Sequence, residues 1–181
     1  LRLSPSAPVP GYAFSGCSGF TGTLTIPDNV SYVGSYAFNG CSGFTELVFG
    51  RGLTEIGRYA FENCSGFTGP LVIPDYITSL GSSAFAHCSG FTSLTLGSGI
   101  TTIPGSCFYH CDGLKEIVLP ETITRIEDYS LHIDKDYNGI PAYFQGSREA
   151  RQLVDVDKNR NDLLGNLTYD YQPVTPPAED T

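Results

Sequence analysis

The chain has no methionine and no tryptophan, and only 16% of its 181 residues are charged. Ten Lys and Arg stand against nineteen Asp and Glu, for a formal net charge of −9. Nucleic acid and anionic lipid both need clustered cations to displace counterions, and the few cations here are scattered, so neither is an expected partner. No apolar run approaches the roughly 18 residues that span a bilayer, and the opening LRLSPSAPVP lacks the charged-then-apolar order of an export signal. Direct membrane insertion is therefore not expected. With no Met and an opening that falls inside a repeat, the sequence reads as a piece of a longer chain. Low charge combined with 21 Gly and 11 Tyr suits short strands joined by tight turns better than long helices.

What the sequence does contain is a repeat. The motif A-F-x-x-C-S-G-F-T recurs from Ala13, Ala37, Ala60 and Ala84, with a degenerate fifth copy from Cys107, at spacings of 24, 23, 24 and 23 residues. That period lies inside the range of leucine-rich repeats and below that of helical-pair repeats. Between the motifs, apolar residues sit two apart (Leu24 and Ile26, Leu47 and Phe49, Leu71 and Ile73, Leu94 and Leu96, Ile117 and Leu119), which marks a strand with one buried face. A Pro or Gly ends each strand, at Pro27, Gly50, Pro74, Gly97 and Pro120, where the chain must turn. A second apolar pair follows in each unit, beginning with Val30 and Val33. The first and third units carry one extra residue (Gly22-Thr23, Gly69-Pro70), so two unequal coils make a period of about 47 residues.

One such unit cannot bury its own apolar side, so equivalent positions must stack on neighbours at the ~4.8 Å strand spacing. Phe14, Phe38, Phe61, Phe85 and Phe108 are expected to form one ladder, with Leu131 in sixth place, and Phe20, Phe44, Phe67, Phe91 and Leu114 a second. Cys17, Cys41, Cys64, Cys88 and Cys111 occupy one repeat position, and Cys107 stands at the Ala position. They read as free thiols filling a buried ladder, each donating weakly to a turn carbonyl, not as three disulfides.

These residues resemble the bacterial BspA-like leucine-rich repeats, whose consensus runs approximately L-x-x-I-x-I-P-x-x-V-x-x-I-G-x-x-A-F-x-x-C. The segment Leu24 to Cys41, LTIPDNVSYVGSYAFNGC, matches it almost position for position, and the resemblance covers about residues 1 to 131. It implies a right-handed, gently curved solenoid of five to six coils, with a parallel sheet on the concave face and short 3-10 or turn segments opposite. It also implies an extracellular or cell-surface location and a role in adhesion or in binding host proteins. No catalytic residue belongs to the repeat. Neither a Ser-His-Asp set, a paired-carboxylate cleft, a phosphate loop nor a metal motif is found in the sequence, so an enzyme is not expected. A second reading makes the array a spacer or accessory that positions a separate catalytic or anchoring domain.

The array is assigned to residues 1–142. Residues 143–171, similar to the family's terminal unit, are expected to form a small α+β cap whose helix starts at Ser147. Residues 172–181 read as a Pro-rich linker or tail. His87 and His110 fall one coil apart and His132 near Asp134 and Asp136, too few for a metal site. Asp155, Asp157, Asn159 and Asn161 mimic a calcium loop, but Arg160 replaces its Gly and Asn166 its bidentate Glu. No cofactor is expected, and the array is expected to be monomeric.

Two surfaces are candidates for an extracellular protein partner. One is the outward strand face, Thr25, Val48, Val72, Thr95 and Val118, flanked by Glu46 and Glu116; it is flat and small-residued, which suits a protein better than a sugar. The other is a column of phenols, Tyr12, Tyr36, Tyr59 and Tyr129, offering contact area at low entropy cost or, alternatively, merely covering the Phe ladder.

Overall fold

A computed structural model describes residues 3, 8–133, 140–157 and 167–172. The chain winds as a solenoid of about six turns in which nearly all regular structure is parallel strand. Numbered in chain order, the first line of strands is β1 (Gly22–Thr25), β3 (Phe44–Val48), β5 (Gly69–Ile73), β7 (Phe91–Leu96), β9 (Ile117–Leu119), β11 (Ala142–Phe144) and β13 (Leu167–Thr168). The second apolar pair of each unit also forms strand, giving a line of two-residue elements: β2 (Tyr32–Val33), β4 (Glu55–Ile56), β6 (Ser79–Leu80), β8 (Thr102–Ile103), β10 (Arg125–Ile126) and β12 (Asp155–Val156). Among the described residues a single short helix, α1 (Arg148–Gln152), interrupts the pattern, and its N-cap Ser147 accepts the Ala150 N–H at 3.1 Å.

The two strand lines fall into four sheets, β1-β3, β5-β7-β9-β11-β13, β2-β4-β6 and β8-β10-β12. The division of the first line follows the extra residue. Gly22 and Gly69 take positive φ (76° and 77°), and the register slips after each, so β1 joins β3 and β5 joins β7. Between β3 and β5 there is no ladder, and Pro70 has no N–H to offer one. At that opening the Tyr76 hydroxyl donates to the Phe49 carbonyl at 3.1 Å, satisfying an acceptor at the end of β3.

The turns are as regular as the strands. In the first coil the amides of Tyr12, Phe14 and Gly16 donate to Ser35, Ala37 and Asn39 of the next coil (3.0, 2.8 and 2.7 Å), while those of Ala13, Ser15 and Cys17 turn back to carbonyls three residues earlier. The scheme repeats in the following coils as far as Cys111, so alternate turn amides bond to the next coil and the others close their own turn. It depends on left-handed backbone before each Ala of the motif and before Cys107 and Ser130, which take its place, at Tyr12, Tyr36, Tyr59, Ser83, Ser106 and Tyr129 (φ 56–59°). Asn63, His87 and His110 (φ 60°, 60° and 54°) take the same conformation before Cys64, Cys88 and Cys111.

The core lies between the strand lines and the turns. Phe14, Phe38, Phe61, Phe85 and Phe108 stack with centroids 5.2–5.7 Å apart, the middle rings fully buried. Phe20, Phe44, Phe67 and Phe91 make the second stack at 5.5–6.4 Å and meet the first edge-on. Burial contributes roughly 1.5–3 kcal/mol per ring. Phe14 and Cys17 are only half-buried and Phe20 is 36% exposed, because no coil among the described residues covers their outer side.

The glycine of the C-S-G-F motif has a steric cause. A Cβ on Gly66 would stand 2.1 Å from the Ser42 carbonyl oxygen of the preceding coil, and Gly43, Gly90 and Gly113 are equally confined. Gly66→Ala must push two backbones apart, so it is expected to cost about 2–3 kcal/mol. A urea midpoint equal to the wild type's would show that the coils do not approach this closely.

Candidate functional site

The strand face is built by β1, β3, β5 and β7, whose inward residues (Leu24, Leu71, Ile73, Leu94, Leu96) are buried and whose alternate residues point out. Register sets Thr25 beside Val48, and Val72 beside Thr95, which in turn lies beside Val118. Val48 and Val72 are 40% and 51% exposed, a strip of apolar surface left open by the described residues. Thr25 is exposed and Thr95 half-buried. Val118 departs from the sequence expectation: it is buried, with 3% of its surface accessible. Its neighbour in register is Tyr143 of β11, whose ring stacks on Tyr171 at 4.3 Å, so the face changes character where the terminal strands begin. Glu46 is exposed and accepts the Thr23 hydroxyl at 2.6 Å, and Glu116 is half-buried with its carbonyl taken by the Leu94 amide.

A groove of about 530 Å³ opens where β5 and β7 end, walled by Val72, Pro74, Thr95 and Leu96 with Asp75, Tyr76 and Gln145 at its margins. Val72 and Thr95 are among the candidates legible in the sequence, whereas Asp75, Tyr76 and Gln145 are not. Tyr76 carried a signal: its repeat position holds Asn29, Gly52, Gly99 and Thr122 elsewhere, so it is the one bulky ring in that column. Burial chiefly, with Asp28 nearby, raises the Tyr76 phenol above its ordinary pKa, and the Arg51 charge opposes this.

The tyrosines form a true stack over three coils only. Tyr12 lies on Tyr36 at 4.7 Å and Tyr36 on Tyr59 at 4.6 Å, after which Ser83 and Ser106 interrupt the column. Tyr129 stands apart and meets Tyr109 edge-on. Tyr12 is 64% exposed, Tyr36 and Tyr59 are half-buried, and the Arg58 guanidinium lies 5.8 Å over the Tyr59 ring. Partial burial, then the Tyr59 and Tyr12 phenols and Glu62, push the Tyr36 phenol upward against the opposing Arg58 charge. A left-handed non-glycine residue costs about 1–2 kcal/mol, so stacking must offset backbone strain at each tyrosine. Tyr59→Ala loses the stack and keeps the strain, whereas Tyr59→Gly loses both. The Ala variant is therefore expected to be the less stable by about 0.5 kcal/mol even after Gly's larger chain entropy is counted. Thermal melting of the pair checks this, and the opposite order would mean that the strain is absent.

His87 and His110 stack at 5.2 Å and, with Ser89 and Asp112, line a smaller groove of about 370 Å³. His132 is buried against Tyr109; Asp134 and Asp136 lie outside the described residues. Among the described residues no group of three His, Cys, Asp or Glu could hold a metal ion. Asp155 and Asp157 both pair with Arg125, Asp157 at 3.1 Å, and so tie β12 to β10. Asn159, Arg160, Asn161 and Asn166 lie outside the described residues.

All six cysteines are free thiols. Those of Cys41, Cys64, Cys88 and Cys111 donate to the carbonyls of Phe14, Phe38, Phe61 and Phe85 at 3.0–3.1 Å. Burial pushes Cys41 up to about 11 and Cys111 up to about 12, and raises Cys64, Cys88 and Cys107 further. Buried and held protonated, these five thiols act as fillers of the core.

Parallel coils of 23–24 residues, joined by strands on one side and ring-stacked turns on the other, define a leucine-rich-repeat solenoid. The family pattern for the BspA type leucine-rich repeat region matches six copies over residues 8–136, and the chain belongs to that family. Among solved structures it is similar to a leucine-rich repeat protein of T. pallidum, at 25% identity and a TM-score of 0.65, over 70% of this chain and 58% of that one. A leucine-rich repeat protein of Eubacterium ventriosum matches at 18% identity and 0.62 (90% and 46% covered), and one of Bacteroides ovatus at 23% and 0.51 (80% and 49%). The chain thus spans about half the length of these proteins. A search of curated proteins finds no match.

Proposed function

We propose that this chain is a non-catalytic binding module, displayed at a cell surface or secreted, that holds an extracellular protein partner on its strand face. The observation that carries this reading is the exposed apolar surface of Val48 and Val72, on the facing strands β3 and β5 of two parallel sheets, with Val72 also walling the adjacent groove. Apolar side chains on an otherwise polar, acidic surface gain by being covered, and a sheet face presents them at fixed spacing to a protein. Secretion or surface display accords with the resemblance of its repeats to those of surface-attached proteins.

The test uses the purified chain and a variant with Thr25, Val48, Val72 and Thr95 all replaced by Lys, each carrying a photo-crosslinking residue at Ser93. Both are exposed to extracellular matrix and mucosal extract, and crosslinked proteins are identified by mass spectrometry. Capture by the wild type with loss in the folded variant is expected. Equal capture by both would remove the strand face as the interaction surface.

A further inference from the structure

We infer that the groove beside β5 and β7 is a pocket for a basic side chain, Arg or Lys, on an extended segment of the partner protein; this rests on the strand face being the interaction surface. Among the residues that line the groove, Asp75 alone is charged. One of its oxygens, Oδ1, accepts the Ser98 amide at 2.7 Å, and the exposed carboxylate keeps its other oxygen for a second donor. The Tyr76 hydroxyl spends its proton on the Phe49 carbonyl, so toward a ligand its oxygen can only accept. The walls are apolar: Val72 is half exposed, and Pro74, Leu96 and the Thr95 methyl complete them. A methylene stem laid on an apolar wall, ending in a cation that meets a carboxylate beside a phenol ring, is the way Lys and Arg side chains bury themselves.

The surroundings select the same charge. Asp28 and Glu121 share the repeat position of Asp75, and Glu46 and Glu116 flank the strands on the other side, against Arg51 and Lys115. Five carboxylates facing two cations give the sheet face a negative field that attracts a basic segment and repels an acidic one. A free polyamine would satisfy Asp75 but leave the Val48 and Val72 strip uncovered. An extended polypeptide that carries Arg and Val two residues apart covers both, because side chains at i and i+2 fall on the same face of an extended chain.

Asp28 supplies the control, since its Oδ1 accepts the Arg51 amide at 2.8 Å in the same structural role but outside the groove. The probe is fluorescein-labelled Val-Ser-Arg-Ser-Val-amide, which sets Val and Arg on one face, followed by fluorescence anisotropy, beside the same peptide with citrulline for arginine. The arginine peptide is expected to bind about tenfold more tightly than its uncharged isostere. Asp75→Asn, which keeps the Ser98 bond, is expected to lose the same factor, while Asp28→Asn, which removes one charge of the field outside the groove, loses less than about twofold, and both variants melt as wild type. No binding of the arginine peptide, equal binding of the two peptides, or equal affinity in wild type and Asp75→Asn would overturn the pocket. Displacement by spermine as effective as by unlabelled peptide would overturn the protein segment as its occupant. If these fail while the four-lysine variant still loses its captured partner, the strand face stands and the basic pocket falls. If the peptides discriminate while that variant captures normally, it is the interaction surface that falls.

Discussion

Phe61→Ala is expected to lower the unfolding free energy by about 3–5 kcal/mol, among the largest effects available to a single substitution. Phe61 is fully buried and stacks on Phe38 (5.4 Å) and Phe85 (5.2 Å) while meeting Phe49 and Phe67 edge-on. Removing it leaves a void bounded by stiff backbones that are already in contact through glycine, so the neighbours cannot collapse to fill it. Its place in the array adds a second consequence. Stability in a solenoid is the sum of coil terms and nearest-neighbour interfaces, and a defect in the middle weakens both halves' hold on each other. The same change at Phe14, half-buried on the outermost described coil, is expected to cost less than half as much. Urea unfolding followed by circular dichroism measures both, and a Phe61→Ala midpoint equal to the wild type's would remove that ring from the core.

How much of this was readable in advance depends on whether a residue repeats. The Phe and Cys positions recur in every coil, and a side chain that must meet its own kind at every level is legible from one sequence. The resemblance carried by Leu24 to Cys41 pointed to the same solenoid, and the family match over residues 8–136 shows it. Tyr76 is the opposite case. It occurs once, at a position held by Asn, Gly and Thr in other coils, and its effect arises from a gap between β3 and β5 that a repeat pattern averages away. The left-handed turns were hidden for another reason. Glycine is the usual marker of positive φ, yet Tyr and Ser hold that conformation before each Ala here because hydrogen bonds to the next coil over-determine the backbone. Val118 failed as an exposed residue because its strand position repeats while its neighbour does not: Tyr143 comes from the terminal segment, where the coil pattern has ended.

The second large effect is alkaline. The thiols of Cys64, Cys88, Cys107 and Cys111 are buried, and their folded pKa values lie well above the ordinary 9.0. In the unfolded chain they ionise near 9, so above that pH the unfolded state holds fewer protons than the folded one, and stability must fall as pH rises. Their contribution is complete below pH 9 and is lost progressively up to the folded values, about 12 for Cys111. Each thiol costs about 1.4 kcal/mol per pH unit in that window, so the four together remove about 5 kcal/mol between pH 8 and 10, comparable with the whole stability of many domains. Cys107 allows the cause to be isolated, because it stands where the other motif copies carry Ala37, Ala60 and Ala84. Cys107→Ala should therefore fold normally at pH 8 and lose stability between pH 9 and 10 with a slope shallower by about 1 kcal/mol per unit. Tyrosine ionisation acts on both proteins alike and cancels in the comparison. Urea unfolding at pH 8, 9 and 10 under reducing conditions decides it: a wild-type stability flat across that range would mean that the thiols are reached by water in the folded state, and that the coils are not packed in register around them.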